Sequence, residues 1–164
     1  VKIAVQDANI LMDLANGDLL EAWFSLGIET HTTDLVLAEI TRPAQEKAVA
    51  LCVQKKQLLV RSFDGVALAE VIIFGQSHGI SPSDASALRL AMELNATLLT
   101  GDGRLRKVAE SKVLLAGFLK ILDLLADRNR LPPKLLATGL RKALAMGCFL
   151  PADECEKRLK LWDP

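Results

Sequence analysis

The chain has 164 residues, 51% of them hydrophobic and 4% aromatic, and its 20 basic residues balance 20 acidic ones. That length and apolar content are enough for one domain with a full core, and the balanced charge excludes a chain that gathers polyanions by net charge, leaving only a local basic patch. No apolar run approaches the ~20 residues of a membrane-spanning helix, and the opening VKIAVQD lacks the layout of a signal peptide, so a cytoplasmic protein with no membrane contact is expected.

Lys2 to Gln6 reads as a buried strand with Asp7 directly after it, and ANILMDLAN then takes a helical period with Ile10, Leu11 and Leu14 inward. Leu19 to Leu26 suits a short helix, and Gly27 releases the chain into a strand from Ile28 to Thr32. Thr33 or Asp34 caps the next helix, LVLAEI, which carries Glu39 and stops before Pro43. Gln45 to Lys55 is amphipathic, with Ala48, Leu51 and Cys52 on the inner face, and Leu58 to Arg61 is a strand. VALAEVIIFGQSHG reads as a helix, although Val71, Ile72 and Ile73 would also suit a strand. Ser81 caps a helix with Pro82 at its first position and Asp84 in its first turn, running to about Leu94. Thr97 to Thr100 is a short strand, Gly101, Asp102 and Gly103 turn the chain into GRLRKVAES, and Lys112 to Leu115 is one more strand.

Strands alternate with helices throughout, so the fold class is α/β, a parallel central sheet flanked by helices. Beyond Ala116 the pattern is helical alone, over residues 116–128, over Lys134 to Met146, and after Pro151, where Cys155, Leu159 and Trp162 share a face. The expected division is a domain over residues 1–115 and a helical C-terminal extension over 116–164 packed on that same domain, since no Gly-, Ser- or Pro-rich linker separates them.

Ligands of open parallel sheets bind beyond the carboxyl ends of the strands. Asp7 and Asp102 each follow a strand, Asp84 opens a helix, and Glu39 lies on the helix after the second strand. Like charges gathered there are unfavourable unless a cation neutralises them or protons are taken up. Hard oxygen donors point to Mg²⁺ or Mn²⁺, ions that assist phosphodiester hydrolysis by activating water and stabilising the leaving oxygen. Zinc is disfavoured: only His31 and His78 supply imidazoles, and Cys52, Cys148 and Cys155 form no CxxC pair and read as reduced thiols. Taken singly, each aspartate is better explained as a helix-start residue that complements the dipole, and Glu39 as a solvated helix position. Three of them on one rim is what points to a site. Arg104, Arg106 and Lys107, just after Asp102, are candidates to hold substrate phosphates, while so few aromatic residues argue against a base-stacking platform. No GxxxxGK[ST] is present, which excludes a P-loop nucleotidase.

Four segments, KIAVQDANILMDL, THTTDLVLAEI, SPSDASALRLAMELNA and TGDGRL, together resemble in order and spacing the motifs of the PIN domain, a metal-dependent nuclease fold. The resemblance implies that Asp7, Glu39, Asp84 and Asp102 are the catalytic, metal-binding acids, with Asn9 and Thr100 as their polar support and Mg²⁺ or Mn²⁺ as cofactor. It implies an endoribonuclease that hydrolyses RNA phosphodiester bonds, as the toxin of a toxin–antitoxin pair does, with an antitoxin protein as partner. The alternative is a PIN-like module that binds RNA or a protein without cleaving. The helical tail resembles a C-terminal extension carried by a subgroup of these proteins, and its apolar helices ending in Trp162 suit a homodimer.

Overall fold

The computed structural model describes residues 1–164. The apolar run Ile3–Gln6 forms β1, and Asp7 ends it by capping α1 (Ala8–Asn16), its Oδ1 accepting the Ile10 N–H at 2.8 Å. The short α2 (Leu20–Phe24) leads to β2 (Glu29–Thr33), whose last residue caps α3 (Asp34–Ala38) through Thr33 Oγ1, 3.1 Å from the Val36 nitrogen. Then come α4 (Pro43–Gln54), β3 (Leu58–Arg61) and α5 (Gly65–His78). Ser81 caps α6 (Pro82–Glu93), and β4 (Thr97–Leu99), α7 (Gly103–Ala109) and β5 (Leu115–Ala116) follow. The chain closes with α8 (Phe118–Asp127), α9 (Pro133–Ala145) and α10 (Ala152–Trp162). No helix is long and apolar enough to cross a membrane.

All strand pairs are parallel, in the order β3-β2-β1-β4-β5. The central strand is therefore β1, with β2 and β4 beside it, so the residues after these three strands share one rim. The Asp7 N–H donates to the Leu99 carbonyl at 3.1 Å, which extends the β1–β4 ladder up to the acid. Helices α1, α2 and α4 cover one face and α5, α6 and α7 the other, the arrangement that right-handed crossovers produce from this strand order.

One hydrophobic cluster runs from the sheet into the C-terminal helices and includes Trp23, Leu98, Phe118, Ile121, Leu136, Leu140 and Trp162. Burial of a large apolar side chain stabilises by roughly 1.5 to 3 kcal/mol, so α8, α9 and α10 are held to the sheet layer by the same force that holds the sheet. Where α9 crosses the end of α1, Gly17 and Gly139 meet: a Cβ on Gly139 would stand 2.9 Å from Leu19 Cδ2 and 3.1 Å from the Gly17 carbonyl oxygen. Arg158 of α10 grips Asp123 of α8 with two hydrogen bonds, of 2.8 and 2.7 Å.

Two local expectations are corrected, and one open choice is decided for the helix. In α4 the inner face is Gln45, Val49 and Cys52, and Leu51 is 48% exposed; the helix begins at Pro43, and positions four and three apart select those residues. The last strand lies at Leu115–Ala116 because the amides of Lys112 and Val113 turn back onto the Ala109 carbonyl and close α7 first. Val71, Ile72 and Ile73 lie inside a helix, which Gly79 ends with φ 66°, a left-handed geometry that suits glycine.

Candidate functional site

Asp7 is the most constrained of the acids. It is 1% exposed, Oδ1 is used by the α1 cap, and Oδ2 is buried with no hydrogen-bond partner. Burial is the main cause that pushes its pKa up to about 7; the carboxylates of Asp84 and Asp13 add to the rise, and Thr100 and the Ile10 amide oppose it. The Thr100 hydroxyl stands close enough to favour the charged form and accepts the Asp102 N–H at 3.0 Å, while Oδ2 of Asp7 makes no hydrogen bond of its own.

The other acids approach from three elements. Asp84 is half-buried in the first turn of α6, its N–H bound by Ser81 Oγ at 3.1 Å. Its pKa is raised, first by burial and then by the charges of Asp102 and Glu39, against the favourable hydrogen bonds of Ser81. Asp102 caps α7, with Oδ1 accepting the Leu105 N–H at 2.8 Å. Glu39 is the exposed C-cap residue of α3. Asp84 thus feels Asp102 and Glu39, and Asp7 feels Asp84, so the four acids form a chain of mutual repulsion along the rim. No three Asp, Glu, His or Cys side chains converge closely enough to hold an ion between them.

Two clefts lie beside this rim, and of the four acids only Glu39 lines either of them. The smaller, of about 210 Å³, includes Asn9, Asp13, Glu39 and Arg42, and the larger, of about 610 Å³, includes Asn9, Asp13, Thr100, Arg106 and Lys120. They share Asn9, Asp13, Gly147 and Cys148, so one groove passes along α1 beneath the loop that joins α9 to α10. A separate apolar depression of about 530 Å³ between α5 and α6 involves none of the four acids.

A family model described as a PIN domain matches residues 3–164. The chain belongs to the PIN-domain family. Among solved structures, the crystal structure of PAE2754 from Pyrobaculum aerophilum is similar at 19% identity and a TM-score of 0.53, covering 76% of this chain and 96% of that one, a likeness of fold. No curated protein matches the chain.

Within this PIN domain the basic residues divide. Arg106 is half-buried, and its Nη1 donates to the Thr100 carbonyl at 3.1 Å, so it lines the larger cleft and braces the turn that bears Asp102. Arg104 and Lys107 are exposed on α7 and line neither cleft. Two further residues belong to this region and are absent from the sequence-based set. Gln6, 0% exposed, has both side-chain amide atoms buried without a partner; a polar residue ending an apolar strand beside Asp7 is its only sequence signal. Asp13, on the same helix as Asn9, lines both clefts and accepts a hydrogen bond from the Cys148 thiol at 3.0 Å. Burial raises its pKa while that thiol opposes the rise, and the Cys148 thiol is itself raised, by burial and by Asp13.

Proposed function

We propose that this PIN domain is a metal-dependent endoribonuclease, with Asp7, Glu39, Asp84 and Asp102 as its acids and Mg²⁺ or Mn²⁺ as its cofactor. The observation that carries the proposal is Asp7 Oδ2. A helix cap needs one oxygen, and serine, threonine or asparagine would supply it without burying a charge. A carboxylate that is 1% exposed and keeps a second oxygen unpaired is costly to the fold and suited to a cation. Mg²⁺ commonly takes one or two carboxylates and keeps several waters. Acids that repel one another without forming a three-sided cage are compatible with that mode.

Asp7 and Asp84 would hold the ion, and Asp102 and Glu39 would complete the negative rim. A bound ion of this kind supplies an acidified water and charge stabilisation at the leaving oxygen. The chain's own residues do the rest. Thr100 positions Asp102 by accepting its backbone N–H, while Arg106 fixes the Thr100 carbonyl. Asn9 is exposed in the first turn of α1, where its amide can meet a substrate lying in the groove. Arg104 and Lys107 extend the positive flank toward an incoming phosphate backbone. The cellular role that fits such an enzyme is the RNA-cleaving toxin of a toxin–antitoxin pair, silenced by an antitoxin protein. The absence of a preformed three-acid cluster favours a second reading, a PIN module that binds RNA or protein and does not cleave.

Cleavage of single-stranded RNA in Mn²⁺, in Mg²⁺ and in chelator, by the protein and by an Asp7→Asn, Asp102→Asn variant that keeps both caps, separates these. Metal-dependent cleavage that disappears in the variant is expected. Metal-independent cleavage, or equal cleavage by the folded variant, would overturn the proposal.

A further inference from the structure

Phe149 is 99% exposed, the most open large apolar side chain in the molecule, and it lies on the wall of the larger cleft. Leaving a phenylalanine ring fully in water forgoes the stabilisation that burial would give. The loop that presents it is anchored on both sides. The Cys148 N–H returns to the Ala143 carbonyl at 3.0 Å, the Cys148 thiol bonds Asp13 of α1, and Pro151 starts α10, itself pinned by the buried Cys155 and Trp162. The same cleft is lined by Asn9 and Thr100 from the acid rim, and by Arg106 and Lys120. Neither of these two cations enters an ion pair of the fold. The cleft's volume, about 610 Å³, falls in the range of small-ligand sites. An aromatic ring sharing a cleft with two cations that no carboxylate neutralises, and with the Asn9 amide, is the chemistry that holds one nucleotide of a single strand: base on the ring, phosphate on the charges.

We infer that this cleft is a nucleotide subsite for single-stranded RNA beside the acid rim, with Phe149 as the base-stacking residue and Lys120 and Arg106 as the phosphate contacts. The inference rests on the nuclease proposal for its choice of ligand. It assigns to the helical extension a part in substrate binding, because Phe149 and Lys120 both lie beyond β5. A low aromatic content does not oppose it, since one ring suffices for one base.

The test is binding, measured in chelator so that cleavage cannot interfere. Fluorescence anisotropy compares a labelled oligouridylate with an abasic oligomer of equal length, on the full chain and on its Phe149→Ala, Phe149→Trp and Lys120→Ala variants. Phe149 is solvent-exposed, so unchanged circular dichroism and Tm are expected in its variants. Phe149→Ala should weaken oligouridylate binding by on the order of tenfold and leave abasic binding unchanged, and Phe149→Trp should restore it. Lys120→Ala should weaken both oligomers and reduce the salt slope by about one. Equal affinity of wild type and Phe149→Ala for oligouridylate, equal losses on both oligomers, or no RNA binding by the wild type would each overturn the subsite. Phe149-dependent RNA binding by a protein that binds no Mn²⁺ would uphold the subsite while refuting the nuclease, and metal-dependent cleavage with unchanged kcat/KM in Phe149→Ala would do the reverse.

Discussion

Replacing Asp7 by asparagine is expected to stabilise the metal-free protein at pH 8. The carboxyl has an ordinary value of 3.8 and stands at about 7 in the fold, chiefly through burial. Between those two values the unfolded chain has released a proton that the folded chain still holds. Stability therefore falls as pH rises through that window and levels off above it. A rise of that size corresponds to at most about 4 kcal/mol. Asp84 and Asp13 are raised as well, so they add to the same slope. Asparagine keeps the Oδ1 cap to Ile10 and removes the charge, at the cost of a buried amide worth about 1 to 3 kcal/mol where its second group lacks a partner. The net gain expected at pH 8 is then about 1 to 3 kcal/mol, shrinking toward zero or reversing at pH 5. Urea denaturation in chelator at pH 5, 6, 7 and 8, for wild type and Asp7→Asn, measures it. A variant less stable than wild type at pH 8, or one whose pH slope equals that of wild type, would refute the reasoning.

Other outcomes follow from the same contacts. Gly139→Ala should lower stability by about 1 kcal/mol in chemical denaturation, because crowding against Leu19 and the Gly17 carbonyl outweighs the gain in helix propensity. Arg158→Lys should lower Tm nearly as much as Arg158→Ala, since a lysine cannot reproduce the two-pronged grip on Asp123, and equal stability of wild type and the lysine variant would remove that contact from the account. Thr100→Val should cost about 1 kcal/mol of stability, from loss of the hydroxyl that accepts the Asp102 N–H, and should reduce RNA cleavage by a larger factor than that loss explains; unchanged cleavage would deny Thr100 a positioning part.

The fold is legible in the chain wherever a local signal is strong. Asp7 capping ANILMDLAN, Ser81 and Pro82 opening α6, and the apolar strand Leu58–Arg61 all come directly from residue type and period. The boundary at β5 is not legible, because the turn after α7 competes for the same residues through hydrogen bonds to the Ala109 carbonyl. At the candidate site, the placement of Asp7 and Asp102 follows from strand order, since they come just after the adjacent parallel strands β1 and β4, whereas Asp84 comes from the first turn of α6 and Glu39 from the end of α3. Burial does not follow. That Asp7 loses its water while Glu39 keeps it, and that Gln6 hides both amide atoms, depend on how α6 and β4 close over β1. Phe149 is invisible for a related reason: its neighbours Cys148 and Asp13 come together only through the packing of α9 against α1.

A failed cleavage assay can reflect the wrong RNA, so the acids are best tested without substrate. Isothermal titration of Mn²⁺ into the protein at pH 8 and at pH 5.5, with Asp7→Asn alongside, reads the site itself. Saturable binding at pH 8 that weakens at pH 5.5, as Asp7 and its neighbours take up protons, and that is lost in Asp7→Asn, is what the account predicts. Binding by Asp7→Asn as tight as that of wild type, or no binding by wild type at pH 8, would contradict it.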